Sequence, residues 1–165
     1  MIKLAIDLGS SVTKIFRIGS GVVLAEPSCV AVASGTANIK AIGEEAKLLI
    51  GKTAEYTTIV FPVFEADIVD EGMAAVMLGY FLNKVGVTPK LARRAEAVFA
   101  VPCGAQDALL EKYYRLGEAC HIGTVHFVEV PFLSALGQNM MLSETNPVFV
   151  VDIGGGNTNI AAFSL

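Results

Sequence analysis

Two short stretches of this chain can be laid one over the other. Ile6-Asp7-Leu8-Gly9-Ser10-Ser11-Val12-Thr13-Lys14-Ile15 and Val151-Asp152-Ile153-Gly154-Gly155-Gly156-Asn157-Thr158-Asn159-Ile160 share the Asp, the first Gly, the Thr and the final Ile at matching positions. In each, an apolar run ends at an Asp, passes small residues and resumes as a second strand-like run, which is the pattern of a β-hairpin. A repeat of that span predicts a duplicated architecture in which each copy begins at its own hairpin.

The same residues carry a chemistry. Small residues after the Asp let the backbone turn tightly and aim N–H groups into a concavity, and such a nest of amides binds phosphate oxygens. A carboxylate at the preceding strand end suits a Mg²⁺ ion that keeps several of its waters. Two such turns facing each other would clamp one polyphosphate from both sides. Neither stretch fits a G-x-x-x-x-G-K-[ST] or G-x-G-x-x-G pattern. A Gly-rich turn that is merely a turn remains the alternative for either stretch alone, and the matched pair of Asp positions favours the phosphate reading.

Between the hairpins the hydrophobic period changes. After the first hairpin, Val22 to Ala25 reads as a third strand, extended past Pro27 by "SCVAVA", so the chain opens on an antiparallel meander. Ser34 to Val63 reads as an excursion from the main sheet, with a short helix at "EEAKLLI" and a strand at "YTTIVF". From Asp70, Met73, Val76, Met77, Tyr80 and Phe81 are spaced as the stripe of an amphipathic helix, and Ala74, Leu78 and Leu82 make its other face apolar too, so a helix buried on several sides is expected. "AVFAV" is a strand ended by Pro102, residues 106–120 a helix with Leu109, Tyr113, Leu116 and Cys120 on one side, and "TVHFV" a further strand. Pro131 suits the first turn of a third helix running to about Met140. Strands alternating with helices imply parallel pairs joined by right-handed crossovers, and the opening meander makes the sheet mixed.

Composition narrows the function classes. The chain has 165 residues, is 53% hydrophobic and 17% charged, and has a net charge of −4. No Lys/Arg block stands out, so a nucleic-acid surface is disfavoured, whereas a small phosphate ligand needs no excess of positive charge. The longest apolar stretch, "MAAVMLGYFL", falls short of a membrane span, and Asp7 interrupts the N-terminal apolar run, so no secretory signal is expected. The three cysteines, Cys29, Cys103 and Cys120, have no metal-ligand spacing and read as reduced core thiols of a cytoplasmic protein. His121 and His126 read as packing or surface residues.

The segments "AIDLGSSVTKIF", "AIGEEAKLLIGKT", "FEADIVDEGMAAVMLGYFLNKV" and "AVFAVPCGAQDALLEKYYRLGEACHIGTVHFVEVPFLSALG" followed by "VVDIGGGNTNIAAF" together resemble the actin-like ATPase superfamily. Within it they are most similar to the MreB family of bacterial actin homologues, with "AIGEEAKLLIGKT" the most discriminating segment. The resemblance covers the whole chain and about half of a complete family member. It implies an α/β, ribonuclease H-like first lobe of βββαβαβ order with an inserted subdomain: residues 1–33 and 66–147 as the lobe's core, 34–65 as the small subdomain, and 148–165 as the first hairpin of a second lobe otherwise absent.

The resemblance also assigns roles. Asp7 and Asp152 would sit beside Mg²⁺; Gly9, Ser10, Ser11, Lys14, Gly154, Gly155, Gly156 and Asn157 would bind the phosphates of ATP; Glu129 would orient the attacking water, with Asp152 as its catalytic partner. In phosphoryl transfer, positioning and charge stabilisation do most of the work. The chain departs from the MreB pattern at Val12, Val130 and Asn157, and Lys14 is closer to the phosphate-touching lysine of actin. The implied whole is a slow ATPase that stacks head to tail into a filament for rod cell shape, with peripheral contact to the inner membrane through Leu91, Arg93 and Arg94. The alternative is a chaperone-like or ethanolamine-utilisation-type ATPase that does not polymerise. Without the rest of the second lobe, nucleotide binding is expected to weaken to about 1 mM or worse, hydrolysis to be negligible, and the second hairpin to pair with another chain's edge or stay unordered.

Overall fold

The computed structural model describes residues 1–52, 56–138 and 147–163. Its central sheet is built from β1 (Ile2–Leu8), β2 (Val12–Arg17), β3 (Gly21–Pro27), β9 (Ala95–Val101) and β10 (Thr124–Glu129), in the order β10-β9-β1-β2-β3. β1 pairs parallel with β9 and β9 with β10, while β1, β2 and β3 run antiparallel. The mixed sheet expected from the sequence is therefore present, with the parallel strands joined through helices α2 (Glu71–Lys84) and α4 (Asp107–Ala119). A short helix, α3 (Pro89–Ala92), precedes β9.

Local chemistry sets these boundaries. The Asp70 side chain accepts the N–H of Met73 at 2.9 Å and caps α2, satisfying one of the amides left free in a first turn. β9 stops where Pro102 has no N–H to offer, and Pro131 occupies the first turn of α5 (Val130–Gly137). The sequence predicts this helix to about Met140; residues 139 and 140 lie outside the described residues.

The core lies between the central sheet and α2 and α4. Leu4, Ile6 and Leu8 alternate inward from β1, as Ala95, Ala97, Phe99 and Val101 do from β9. Phe99 meets Tyr113 of α4 with ring centroids 5.6 Å apart. The inward stripe of α2 is Ala74, Met77, Leu78, Phe81 and Leu82, whereas Val76 and Tyr80 are exposed. Met73 is partly buried against the same core, so α2 is buried on several sides as expected, with only Val76 and Tyr80 of its named apolar positions turned to solvent.

A second correction concerns "SCVAVA". It does not extend β3. Residues Val30–Ala33 form β4, which pairs antiparallel with β5 (Ile39–Ile42) and β6 (Thr57–Val60) in a separate small sheet. That sheet carries the short helix α1 (Glu44–Lys47) and begins ahead of the boundary expected at residue 34. The chain returns through a tight hairpin, β7 (Val63–Phe64) and β8 (Asp67–Ile68), tied to α4 by Lys112, whose Nζ donates to Asp67 Oδ1 and Oδ2 at 2.7 and 2.8 Å and to the Ile68 carbonyl at 3.0 Å.

The final hairpin, β11 (Val148–Ile153) and β12 (Thr158–Phe163), pairs with itself. Among the described residues it is an ordered two-stranded sheet rather than the unordered segment the sequence allowed. Val148 and Val150 pack on Ala135 of α5, and Phe163 stacks against Phe132 at 6.0 Å.

Candidate functional site

The two repeated stretches fold with the same register. In the first, Asp7 lies opposite Lys14 and Leu8 opposite Thr13; in the second, Asp152 lies opposite Asn159 and Ile153 opposite Thr158. Each Asp is thus one residue short of its strand end and beside the small-residue turn.

The turns meet tip to tip. A Cβ built on Gly155 would lie 2.5 Å from Ser11 Cβ, and one on Gly156 would lie 2.7 Å from Ser10 Oγ and 3.2 Å from the Glu65 amide nitrogen. These glycines are required by close approach rather than by backbone torsion. Between the turns opens a cleft of about 460 Å³. Of the residues expected at the site, Asp7, Gly9, Ser10, Ser11, Lys14, Asp152, Gly154, Gly155 and Asn157 line it. Gly156 sits behind the wall against Ser10, and Glu129 lies just beyond Val130, its Oε1 accepting the Gly104 N–H at 3.0 Å.

Charge in the cleft is partly balanced. Lys14 Nζ lies 3.3 Å from Asp7 Oδ2, both side chains about half exposed. Such a pair is weak in water, so the ammonium is available to an incoming anion. Asp152 Oδ2 accepts the Ser134 hydroxyl at 2.7 Å, which orients its carboxylate. Burial pushes the Tyr113 phenol well above its usual range, aided by the charge of Asp7, so the ring closes the floor of the cleft as a neutral group. Among the described residues no cluster of three or more metal-ligating side chains is gathered. Two carboxylates are nonetheless what a hydrated Mg²⁺ uses, since that ion takes only one or two beside its waters and phosphate oxygens.

Two side chains that fix the geometry carry no sequence signature. Asn159 is buried, and its Oδ1 accepts the Cys103 N–H at 3.1 Å, joining the second hairpin to the end of β9. Ser134 acts from α5. Only the strand register, which places Asn159 opposite Asp152, could have pointed to the first.

Cys29 and Cys120 are buried as expected, but Cys103 is exposed, because Pro102 ends β9 and releases the chain to the surface. Burial pushes the Cys120 thiol up to about 12, and partial desolvation followed by the charge of Glu129 raises that of Cys103. In the native protein a maleimide is expected to label Cys103 alone, with a rate that climbs as pH rises toward its elevated pKa. Glu129→Gln should speed that reaction at neutral pH by lowering the thiol pKa. Labelling of Cys29 or Cys120 ahead of Cys103 would contradict this packing.

A mixed sheet of this order, a small antiparallel sheet inserted after its third strand, and a second hairpin docked beside the first together define the first lobe of an actin-like fold. Solved structures share it. The MreB5 of Spiroplasma citri bound to AMPPNP superposes with a TM-score of 0.90 at 26% identity, over 99% of this chain and 49% of that one. The MamK double helical filament superposes at 0.79 with 22% identity, over 98% of this chain and 49% of that one, a likeness of fold. The chain belongs to the MreB/Mbl family, whose model, described as MreB/Mbl protein, matches residues 1–165. It is 31% identical to the cell shape-determining protein MreB of Pasteurella multocida, over 98% of this chain and 47% of that protein. It is 33% identical to the cell shape-determining protein Mbl of Bacillus cereus, over 98% and 48%. The chain spans about half the length of the curated relatives it matches. Membership in this family disfavours the chaperone-like alternative.

Proposed function

We propose that this chain forms the nucleotide-gripping first lobe of an MreB-like cytoskeletal filament subunit. The observation that carries the reading is the apposition of the two Asp-Gly turns across one cleft, with Lys14 on its wall. The S. citri relative bound to AMPPNP supports ATP as the ligand. Amides of Gly9–Ser11 would hold phosphate oxygens from one side and those of Gly154–Gly156 from the other, while Lys14 would exchange Asp7 for a phosphate. Asp7 and Asp152 would hold hydrated Mg²⁺, which supplies charge neutralisation on the phosphates. Glu129 would orient the attacking water once its bond to Gly104 is released.

Self-association is supported by the MamK filament, whose fold this chain shares. A head-to-tail contact uses different surfaces on each copy, so it propagates. A two-lobed protein carrying this segment is expected to pellet with Mg²⁺ and ATP and to stay in the supernatant without nucleotide; ATP-independent solubility would oppose the reading.

For membrane contact, Leu91 on α3 is 41% exposed beside the exposed Lys90, Arg93 and Arg94. Among the described residues no helix is long and apolar enough to cross a membrane. One leucine with three cations is a weak anchor that needs a second signal or many copies. Filaments should therefore co-sediment with anionic vesicles and lose this on Leu91→Ser combined with charge removal; unchanged pelleting would dispose of the loop's role.

A further inference from the structure

The linker that leads from the central sheet to the small one, the last two residues of β3 and the step into β4 (Glu26 to Cys29), is buried along its length. Glu26 is only 8% exposed, which is unusual for a carboxylate. The linker holds two places at once. On the cleft side, the Ser28 N–H donates to the carbonyl of Ser11 at 3.0 Å, and the Ser28 and Thr13 hydroxyls lie 2.8 Å apart, both buried. Ser11 is the last residue of the first turn.

On the far side, everything converges on Gly43 and Glu44, where α1 begins. The Gly43 N–H donates to the Cys29 carbonyl at 2.9 Å, and the Cys29 thiol lies 3.6 Å from the Gly43 carbonyl. Glu26 Oε2 accepts the Glu44 N–H at 3.4 Å, while Oε1 pairs with Lys84 at the end of α2. Gly43 has φ +67°, and a Cβ there would fall onto Glu26 Oε2, so the carboxylate fills the space that a side chain would need. A buried carboxylate is tolerated when it is paired and hydrogen-bonded; here its partners come from two other parts of the fold.

We infer that Glu26 and Ser28 are positioning residues of the cleft: their linker is one lever that sets the first turn at Ser11 against the start of α1 at Gly43–Glu44. This rests on the reading of the cleft as a polyphosphate site and adds what holds its first turn in place. Neither residue touches the ligand. A ligand that orders the turn would also tighten the α1 end, and loosening the α1 end would disorder the turn.

Amide hydrogen exchange on this chain tests it in two arms. Without ligand, Glu26→Gln is expected to speed exchange at Gly43 and Glu44 about ten-fold and at Ser28 several-fold, through openings confined to this segment. Lys84→Met, which keeps the carboxylate, is the second variant and should move the same amides in the same direction. Faster exchange at Glu44 with Ser28 unchanged in both variants would overturn the lever, leaving Glu26 a local cap. With Mg²⁺ and ATP as the probe, the wild-type chain should slow exchange at Gly9–Ser11 and at Gly43–Glu44 together. In Glu26→Gln the turn should still respond, at a several-fold higher ATP concentration, without the response at Gly43–Glu44. Protection of the turn alone in the wild type would overturn the inference. No protection of the turn, with the first arm as expected, would instead contradict the polyphosphate reading and remove the positioning role with it.

Discussion

Gly155→Val is expected to abolish the proposed polyphosphate binding while the chain stays folded. Even the first carbon of the new side chain would sit 2.5 Å from Ser11 Cβ, closer than non-bonded carbons approach, so the two turns must separate. The rest of the hairpin has no reason to leave. Val148 and Val150 still pack on Ala135, Asp152 still accepts from Ser134, and Asn159 still accepts from the Cys103 N–H. Separation of the tips removes at least two amide-to-phosphate bonds from any ligand held by both, each worth roughly 1.5 kcal/mol, so affinity should fall about 100-fold. In a titration of the chain with Mg²⁺ and ATP followed by amide shifts, the wild type should respond at Gly9–Ser11 and the variant should not. The thermal midpoints of the two should agree closely.

Phe81→Ala, by contrast, is expected to unfold much of the population. Phe81 is fully buried on α2, within the main core beside Leu78 and Met77, and its ring edge reaches the position above Gly43. Removing a buried phenyl costs about 3–5 kcal/mol in lost transfer energy and cavity, a large fraction of the total stability of a domain of this size. Tyr80→Ala is the matched control: its ring is 38% exposed and its cation–π contact with Lys84 spans 5.9 Å, so its loss should cost about 1 kcal/mol or less. Urea unfolding of both variants decides whether Tyr80, next to the buried Phe81, faces the core or solvent. Equal losses would mean that α2 is turned differently.

The contrast between these two residues shows where the sequence was readable. The paired hairpins could be recognised because their signal is local: an Asp, a small-residue turn and alternation on both sides, now found in identical register. The central strands and the helices α2 and α4 were also marked by period and by Pro102 and Pro131. Which apolar positions of α2 meet solvent is hidden because Val76 and Tyr80 are as apolar as Met73, Met77 and Phe81, which pack. The separation of β4 from β3 is hidden for a similar reason. "VAVA" suits either sheet, and the break before it is not an exposed loop but the buried Ser28-Cys29 step, whose turn shows only in hydrogen bonds to Ser11 and Gly43. Asn159 and Ser134 are invisible to pattern because a polar residue that satisfies one distant partner leaves no periodic trace.

The claim on which the rest depends is that Asp7 and Asp152 serve a single ligand from opposite sides of the cleft. It is tested most directly by measuring Mg²⁺-ATP affinity for Asp7→Ala, Asp152→Ala and the double variant, by amide shifts on the chain and by calorimetry on a two-lobed protein that carries it. Each single change is expected to weaken binding about ten-fold, the equivalent of roughly 1.4 kcal/mol, and the double change to take it beyond detection in the isolated chain. A double variant that binds Mg²⁺-ATP as tightly as the wild type would contradict the account.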